Sequence, residues 1–314
     1  MPRVLLITNP AAARTDARAV LTVRDTLRAA GWRVEVLATA GPGDARRFAT
    51  EAAEDHGGFD LLLSVGGDGT AMQVAAGLAG SGIPLGLVAG GTGNILARNL
   101  RLPTDPARAA RAILRGVPYP IDLGRVTRAD GEHVFAVCGG TGYDAELMAA
   151  TDADTKRRWK VGAYFLKGLA VLPGVRSVTH RVTVDGDTHE VEAAMVLVAN
   201  CKELVPRLVS ISPDVRPNDG WLDILALRAD GVVDSVAAFA QLLAGGARRG
   251  GGGRFWSARG RTVTIDVPDG APRPVQLDGE VAGVTPFEVR LAPHALTVIV
   301  DPATVPGGVN PDGR

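Results

Sequence analysis

Two glycine-rich turns are the residues of this chain best suited to bind a charged ligand. The first is Gly66–Thr70, with the sequence Gly-Gly-Asp-Gly-Thr, and the second is Gly90–Asn94, with the sequence Gly-Gly-Thr-Gly-Asn. Because glycine has no Cβ, backbone N–H groups in such turns can approach an anion closely, and the positive end of a following helix attracts the same anion. Asp68 adds a carboxylate and Thr70 a hydroxyl. The two turns together predict one phosphate-binding nucleotide site.

The sequence around these turns separates them from the common nucleotide motifs. Each turn follows a short apolar run, Leu61–Val65 or Pro84–Val88, which is typical of a strand buried on both faces of a parallel sheet. One such turn alone is also common for steric reasons. No G-x-x-x-x-G-K-[ST] motif occurs, and the first strand, Val4–Thr8, runs into Asn9–Ala13, which lacks the Rossmann glycines. The segment Gly140–Ala145 matches G-x-G-x-x-A only weakly, because no βα repeat precedes it.

Length and composition are those of an ordinary globular protein. The 314 residues suggest about two domains, and 46% hydrophobic with 22% charged residues excludes wholesale disorder. The formal net charge is zero, so no nucleic-acid partner is expected. Cys138 and Cys201 are the two cysteines, and without a signal-peptide pattern we expect reduced thiols and a cytoplasmic location. No apolar run approaches the roughly 20 residues that span a bilayer.

The apolar pattern of residues 1–120 predicts a Rossmann-like parallel α/β domain that binds the nucleotide. Strands and helices alternate up to about Val117, which indicates right-handed βαβ units. Ligands of such sheets bind beyond the carboxyl ends of the strands, where both glycine turns would lie. The remaining predicted elements are a helix capped by Thr15 or Asp16 and ending at Gly31, a strand over Trp32–Leu37 and a helix over Asp44–Asp55.

The pattern of residues 121–301 predicts a β-rich sandwich domain. Period-two strands dominate it, with a hairpin turn at Asp185–Asp187 and helices over Lys156–Leu172 and Val232–Leu243. Residues 244–254 predict a mobile loop, and residues 302–314 predict a disordered tail. The predicted strands are Arg181–Val184, Glu190–Val198, Leu222–Leu227, Arg261–Val267 and Ala295–Val300.

The ordered motifs of the chain resemble those of the diacylglycerol kinase catalytic family, which includes bacterial lipid kinases and sphingosine kinases and is distantly related to NAD kinases. The resemblance covers nearly the whole chain, to about Val300. It implies the two-domain architecture predicted above, with the active site in the cleft between the domains. The main motifs are Asn9-Pro10, Gly66–Thr70, Gly91–Asn94 with Ala97-Arg98, and Leu277–Glu280; supporting matches are Gly140–Asp144, Ala199-Asn200, Ser212-Pro213 with Asp219–Asp223, and Pro286–Val289.

The resemblance implies an ATP-dependent lipid kinase whose general base is Asp278, with Glu280 orienting its neighbours or helping to hold metal. From spacing alone, Asp278-Gly279 fits an ordinary β-turn. Mg²⁺ is expected with the ATP, and Asp68 is the carboxylate expected to act through it. A second, structural metal would map onto Asp219 with the main-chain carbonyls of Arg216 and Trp221, where an ordinary turn is the alternative. The nucleotide-binding residues are expected to be Asn9, Thr39, Gly66, Gly67, Asp68, Gly69, Thr70, Gly91, Thr92 and Asn94.

The implied acceptor is diacylglycerol or a related lipid, reached peripherally at the inner, cytoplasmic face of the membrane, and a homodimer is compatible with the sequence. The basic runs Lys156–Lys160 and Arg248–Arg254 are either solvated faces or contacts with anionic head groups. One rival is an NAD-kinase-like kinase of a soluble substrate. Another is a catalytically silent lipid- or nucleotide-binding regulator, against which the presence of both Asp68 and Asp278 argues. A dinucleotide oxidoreductase is disfavoured because the first turn lacks its glycines.

Overall fold

The computed structural model describes most of the chain, namely residues 1–11, 17–55, 58–142, 145, 175–205, 209–210, 215–243 and 253–305. The chain forms two units, one of Met1–Ile121 with the segment from His294 onward, and one of Asp122–Pro293. The C-terminal strand residues from His294 therefore join the first unit, although they follow the second in sequence. The predicted boundaries at residues 120 and 301 stay a prediction.

The first unit is a parallel sheet with helices between its strands. Its strand order is β2-β1-β3-β4, and the end of β18 adds Val298 beside Leu85 in the same direction. Strand β5 starts in this unit and β18 ends in it. The elements are β1 Arg3–Thr8, α1 Ala17–Ala29, β2 Arg33–Ala38, α2 Asp44–Glu54, β3 Leu61–Gly66, α3 Asp68–Leu78, β4 Leu85–Ala89, α4 Ile95–Asn99, α5 Pro106–Arg115, β5 Val117–Arg128 and β18 Phe287–Val300.

Burial explains why these segments adopt this arrangement. Every residue of β3 is buried, as the continuous apolar run predicts for a central parallel strand. Helix α1 buries Val23 and Leu27 on one face, and the chain leaves it through Gly31 at φ 85°, a left-handed conformation that glycine adopts without strain. These side chains join a core with Val4, Leu6, Leu63 and Val65. The strands and helices that alternate along the sequence therefore pack their apolar faces into one core.

The second unit is built mainly from two antiparallel sheets, beside a short antiparallel pair of β11 and β12. One has the order β14-β13-β10-β7-β16-β17, and the other pairs β18, β15, β8 and β9 in that order, with β6 hydrogen-bonded to β5. The elements are β6 Gly131–Phe135, β7 Cys138–Gly142, β8 Val178–Val184, β9 Asp187–Ala193, β10 Met195–Ala199, β11 Glu203–Val205, β12 Val209–Ser210, β13 Leu222–Leu227, α6 Gly231–Leu243, β14 Phe255–Gly260, β15 Thr262–Asp266, β16 Pro274–Leu277 and β17 Glu280–Val284.

The sandwich core lies between these sheets and contains Phe135, Val182, Val198, Ile224 and Val263, all at most 1% exposed. The predicted hairpin is present, because Asp185 and Gly186 both take positive φ between β8 and β9, as a two-residue type I′ turn requires. The predicted fold class, a parallel α/β domain followed by a β-sandwich, is confirmed.

The structure gives a different role to two segments, the weak glycine motif at Gly140 and the first residues of the predicted tail. Gly140 lies inside β7, and a Cβ placed there would come within 2.5 Å of the Val196 carbonyl oxygen, so its glycine serves strand packing. Residues 302–305, assigned to the predicted tail, form a turn in which Thr304 and Val305 donate N–H groups to the Asp301 carbonyl. Their turn is stabilised because Val305 is buried.

Several predictions fall outside the described residues: the cap at Thr15 or Asp16, the helix over Lys156–Leu172, most of the loop 244–254, and the tail beyond residue 305. The helix predicted over Val232–Leu243 is α6. Within the described residues, no helix is long and apolar enough to cross a membrane.

Candidate active site

The carboxyl ends of four parallel strands hold the predicted nucleotide residues at one edge of the sheet. Backbone hydrogen bonds continue one residue beyond the ends of β1 and β2. The Thr39 N–H donates to the Thr8 carbonyl at 2.8 Å, and the Asn9 N–H donates to the Val65 carbonyl at 3.3 Å. Asn9 also accepts the Ala11 N–H through Oδ1 at 2.9 Å, which closes a local turn. The structure therefore places Asn9 and Thr39 at the same edge as the glycine turns.

The two glycine turns lie directly against each other. Gly90 N–H donates to the Gly66 carbonyl at 2.7 Å. A Cβ on Gly91 would lie 2.6 Å from Gly67 Cα, whereas a Cβ on Gly67 would lie 3.4 Å from Gly91 Cα. Gly67 has φ −85°, a conformation open to any residue, and it is at Gly91 that the close approach of the two backbones leaves no space for a Cβ. Because α3 begins at Asp68, its first N–H groups and its positive dipole end lie in the first turn.

Asp68 joins the first turn to the second. Its Oδ2 accepts the Asn94 N–H at 2.7 Å, and its Oδ1 accepts the Ile95 N–H at 2.5 Å, so it caps the short helix α4 from a distance of 26 residues or more in sequence. Burial raises the pKa of the Asp68 carboxyl, while the hydrogen bonds from Ile95 and Asn94 and the charge of Arg98 oppose that shift. The structure thus gives Asp68 a positioning role, and its action through Mg²⁺ stays a prediction.

Asn94 closes the second turn upon itself. Its Oδ1 accepts the Gly91 N–H and its Nδ2 donates to the Gly91 carbonyl, each at 2.9 Å, with the backbone in the left-handed region at φ 50°. Asparagine tolerates that conformation better than most residues. Arg98 adds a bond from Nε to the Gly93 carbonyl at 2.9 Å. Of the two predicted threonines, Thr70 is buried and Thr92 half-buried.

In the second unit, Asp278 lies in the β16–β17 turn, where it has φ 47° and Gly279 has φ 88°. Its carboxylate is surrounded by backbone donors of the segment that leads into β7. Oδ2 accepts the Ala136 N–H at 2.7 Å, and Oδ1 accepts those of Val137 and Cys138 at 2.9 and 3.0 Å. Such charge-assisted bonds hold the carboxylate in one orientation. Glu280, the other predicted catalytic residue, is exposed at the start of β17.

Asp219, the carboxylate predicted for a structural metal, lies beside an arginine. Asp219 Oδ1 accepts the Trp221 N–H at 3.1 Å, and its Oδ2 lies 3.3 Å from Nη2 of Arg259, which also pairs with Asp223 at 2.8 Å. Burial raises the pKa of Asp219, and the charge of Arg259 opposes that shift. No group of three or more acidic, histidine or cysteine side chains in the described residues could hold a metal ion. As it stands the arrangement favours an ion pair, and the metal site with the Arg216 and Trp221 carbonyls stays a prediction.

Comparison with known proteins shows the family of this chain. A family model described as the diacylglycerol kinase catalytic domain matches residues 3–126, and one described as the YegS C-terminal NAD kinase beta sandwich-like domain matches residues 138–300. The chain is 31% identical to a diacylglycerol kinase of Bacillus subtilis (strain 168) over 95% of this chain and 97% of that protein. It belongs to the diacylglycerol kinase catalytic family. The expectation of a lipid kinase is thereby confirmed.

Two further relatives agree with this assignment. A probable lipid kinase YegS-like protein of Pseudomonas putida (strain ATCC 47054) is 30% identical, over 86% of each chain. The crystal structure of a diacylglycerol kinase from Bacillus anthracis str. Sterne superimposes with a TM-score of 0.75 at 25% identity, covering 97% of this chain and 98% of that one. The two family models together match residues 3–126 and 138–300 of this chain.

Two residues close to Asp278 were not predicted as site residues. Gln276 is buried, and its Oε1 accepts the Gly279 N–H at 2.9 Å, which fixes the turn that carries Asp278. Asn200 is fully buried behind the segment that donates to Asp278. Asn200 lay within a family motif, but nothing local to it indicates its distant partners Asp122 and Ala136.

Proposed function

We propose that this lipid kinase transfers the γ-phosphate of ATP to the hydroxyl of diacylglycerol or a related lipid, with Asp278 as the general base. The observation that carries the proposal is the close contact between Gly67 and Gly91, which joins two N–H-rich turns at the carboxyl edge of a parallel sheet. Phosphoryl transfer depends mainly on holding the phosphates and neutralising their charge. The first turn and the start of α3 supply N–H groups of the right polarity for that task, whereas the Gly90, Gly91 and Asn94 N–H groups of the second turn are bonded within the protein.

Asp278 supports the second half of the proposal. A primary hydroxyl attacks phosphorus more readily when a fixed carboxylate accepts its proton. Three backbone N–H groups hold the carboxylate of Asp278 in one position, which is what a base that must meet one hydroxyl requires. The predicted location of the active site between the two domains stays a prediction.

Mg²⁺ is proposed to bind with the ATP. A hard divalent ion takes phosphate oxygens, water and one or two carboxylates as ligands. Asp68 is the carboxylate beside the first turn, and each of its oxygens already accepts one backbone N–H, so it fits the ion only through the lone pairs that remain. When bound, the ion would neutralise charge on the phosphates, while Asp68 keeps the second turn in place.

A transfer assay tests the proposed function. The purified protein is incubated with γ-labelled ATP and, in separate reactions, diacylglycerol, other lipid alcohols, a short-chain soluble diacylglycerol, and NAD, each with Mg²⁺ or with EDTA. We expect Mg²⁺-dependent labelling of a glycerolipid and none of NAD. Labelling of NAD alone would establish the soluble-substrate kinase, and absence of labelling throughout would establish a silent regulator.

Peripheral contact with the membrane is part of the same proposal, and α6 provides a surface for it. The helix buries Ser235 and Ala238, while its Val232, Val233 and Val236 are 41%, 82% and 47% exposed, so it presents apolar side chains to the surface. Of the basic residues predicted for this task, Arg254 is described, and its Nη1 pairs with Asp234 at 2.7 Å. The exposed valines therefore complement a lipid surface by apolar burial.

Replacing Val232, Val233 and Val236 together with serine is expected to weaken binding to vesicles of diacylglycerol and anionic phospholipid by about tenfold or more, since each valine contributes part of the roughly 1.5–3 kcal/mol of full burial. Co-sedimentation measures the binding. Activity on the short-chain soluble lipid is expected to be unchanged.

Leu21 and Val36 serve as the matched control, because they are 42% and 39% exposed on other elements and their serine variants should bind vesicles normally. Equal vesicle binding by the triple variant and wild type contradicts the role of α6. If the protein binds anionic vesicles more tightly than neutral ones, and added salt removes the difference, the basic runs rather than α6 make the contact with the membrane.

A further inference from the structure

Asn200 lies just after β10, is fully buried, and uses every donor it has to fix backbone carbonyls. Its Nδ2 donates to the Asp122 carbonyl at 2.7 Å and to the Ala136 carbonyl at 2.9 Å. Its backbone N–H donates to the Val137 carbonyl at 2.9 Å. Two of these three acceptors belong to the segment whose N–H groups bind Asp278.

The same peptide groups carry both sets of bonds. The Ala136–Val137 peptide accepts from Asn200 through its carbonyl and donates to Asp278 Oδ1 through its N–H. The Val137–Cys138 peptide accepts from the Asn200 N–H and donates to the same Oδ1. A peptide whose carbonyl accepts a hydrogen bond is a stronger donor, because bonds in a chain polarise one another. Each of the two peptides therefore links Asn200 to the carboxylate.

Cys201 reinforces this arrangement. Its N–H donates to the Val137 carbonyl at 3.1 Å, and its thiol donates to the Ala136 carbonyl at 3.3 Å. Burial raises the pKa of this thiol far above its usual range, and the neighbouring charges of Asp278 and Cys138 add to the effect. The thiol therefore stays protonated and remains a donor, but it is a weak one, so the amide of Asn200 supplies the stronger bond.

We propose that Asn200 is a positioning residue for the phosphoryl-transfer base: it holds residues 136–138 so that their N–H groups fix and polarise the carboxylate of Asp278. The inference rests on the proposed function, in which Asp278 accepts the hydroxyl proton. Oδ1 of Asn200 has no hydrogen-bond partner among the described residues, so the side chain is oriented by its two donated bonds alone. Removing the amide leaves two buried carbonyls short of a strong donor and loosens the segment, which keeps only the backbone bonds from Asn200 and Cys201 and the weak bond from the Cys201 thiol.

The test compares Asn200→Ala with wild type in the glycerolipid kinase assay. We expect kcat to fall by about 10- to 100-fold with KM for ATP within about threefold, because a base displaced by a fraction of an ångström reacts poorly while the nucleotide turns are untouched. We also expect the acid limb of the kcat–pH profile to move to higher pH, since weaker N–H donors stabilise the ionised carboxylate less. Asn200→Ser keeps one side-chain donor, so its kcat should lie between those of wild type and Asn200→Ala.

Controls separate positioning from loss of stability. Val263→Ala creates a cavity in the core of the same unit and should lower the thermal midpoint without moving the pH profile. Asp278→Asn, assayed in parallel, should be inactive in both the wild-type and Asn200→Ala backgrounds. An active Asp278→Asn variant overturns the proposed function itself. An inactive Asp278→Asn with wild-type kcat and pH profile in both Asn200 variants overturns only this inference. If Asn200→Ala does not fold, Asn200→Ser decides the matter by the same readouts.

Discussion

Replacing Asp278 with asparagine is expected to lower kcat for lipid phosphorylation by about 10³-fold or more, because an amide cannot accept the hydroxyl proton. ATP affinity, measured by calorimetry, should stay within about threefold of wild type. The structure adds an expected side effect. The amide nitrogen must face a backbone N–H of Ala136 or of Val137 and Cys138, so the variant should lose about 1–3 kcal/mol of unfolding free energy.

The hairpin at Asp185 provides a matched control for that side effect. Asp185 also lies in the left-handed region, at φ 49°, is followed by Gly186 at φ 98°, and accepts the backbone N–H groups of Arg261 and Thr262 through its carboxylate. Asp185→Asn should lose less stability than Asp278→Asn, because Oδ1 of Asp185 alone accepts both N–H groups and the asparagine oxygen can replace it, and it should keep its kcat. If both asparagine variants retain activity per folded molecule, Asp278 is a structural turn residue like Asp185, and the base lies elsewhere.

The second large effect concerns the glycine turns. Gly91→Ala should weaken ATP binding by about tenfold or more and lower the unfolding free energy by about 1–3 kcal/mol, because the new Cβ would lie 2.6 Å from Gly67 Cα and the turns must separate. Gly67→Ala, whose Cβ would lie at 3.4 Å, should keep most of its stability while weakening ATP binding. Calorimetry and thermal unfolding measure the two quantities.

Gly77 supplies the control for the overpacked variant. A Cβ there would lie 2.6 Å from the Ala49 side chain, between α2 and α3, so Gly77→Ala should lose a similar amount of stability. Its folded fraction should bind ATP normally, since the added methyl group lies far along α3 from the turns. Unchanged ATP affinity in Gly67→Ala and Gly91→Ala would remove the joined turns from the nucleotide site.

Local sequence was sufficient for most of the predicted elements and for the place of the glycine turns. The single strand predicted over Glu190–Val198 was wrong, because the chain breaks at Ala194 into β9 and β10, which pair in different sheets. Apolar period and turn chemistry act over a few residues, so β3, the glycine turn that follows it and the hairpin at Asp185 could be predicted without knowing their neighbours. The parallel direction of the first four strands followed from the alternation of strand and helix. That direction alone places the ends of β1, β2, β3 and β4 at one edge.

The roles of individual site residues were decided by contacts distant in sequence. Asp68 was predicted beside phosphate, but its oxygens bind the N–H groups of residues 26 and 27 positions later. Asp278 meets its three donors 140–142 positions earlier, and Asp219 meets Arg259 forty positions later. Sequence by itself determined which segments become strands, helices and glycine turns, because those choices depend on neighbours in the chain. Tertiary structure alone decided which backbone groups each carboxylate binds, because hydrogen-bond partners so far apart are brought together only when the strands pair.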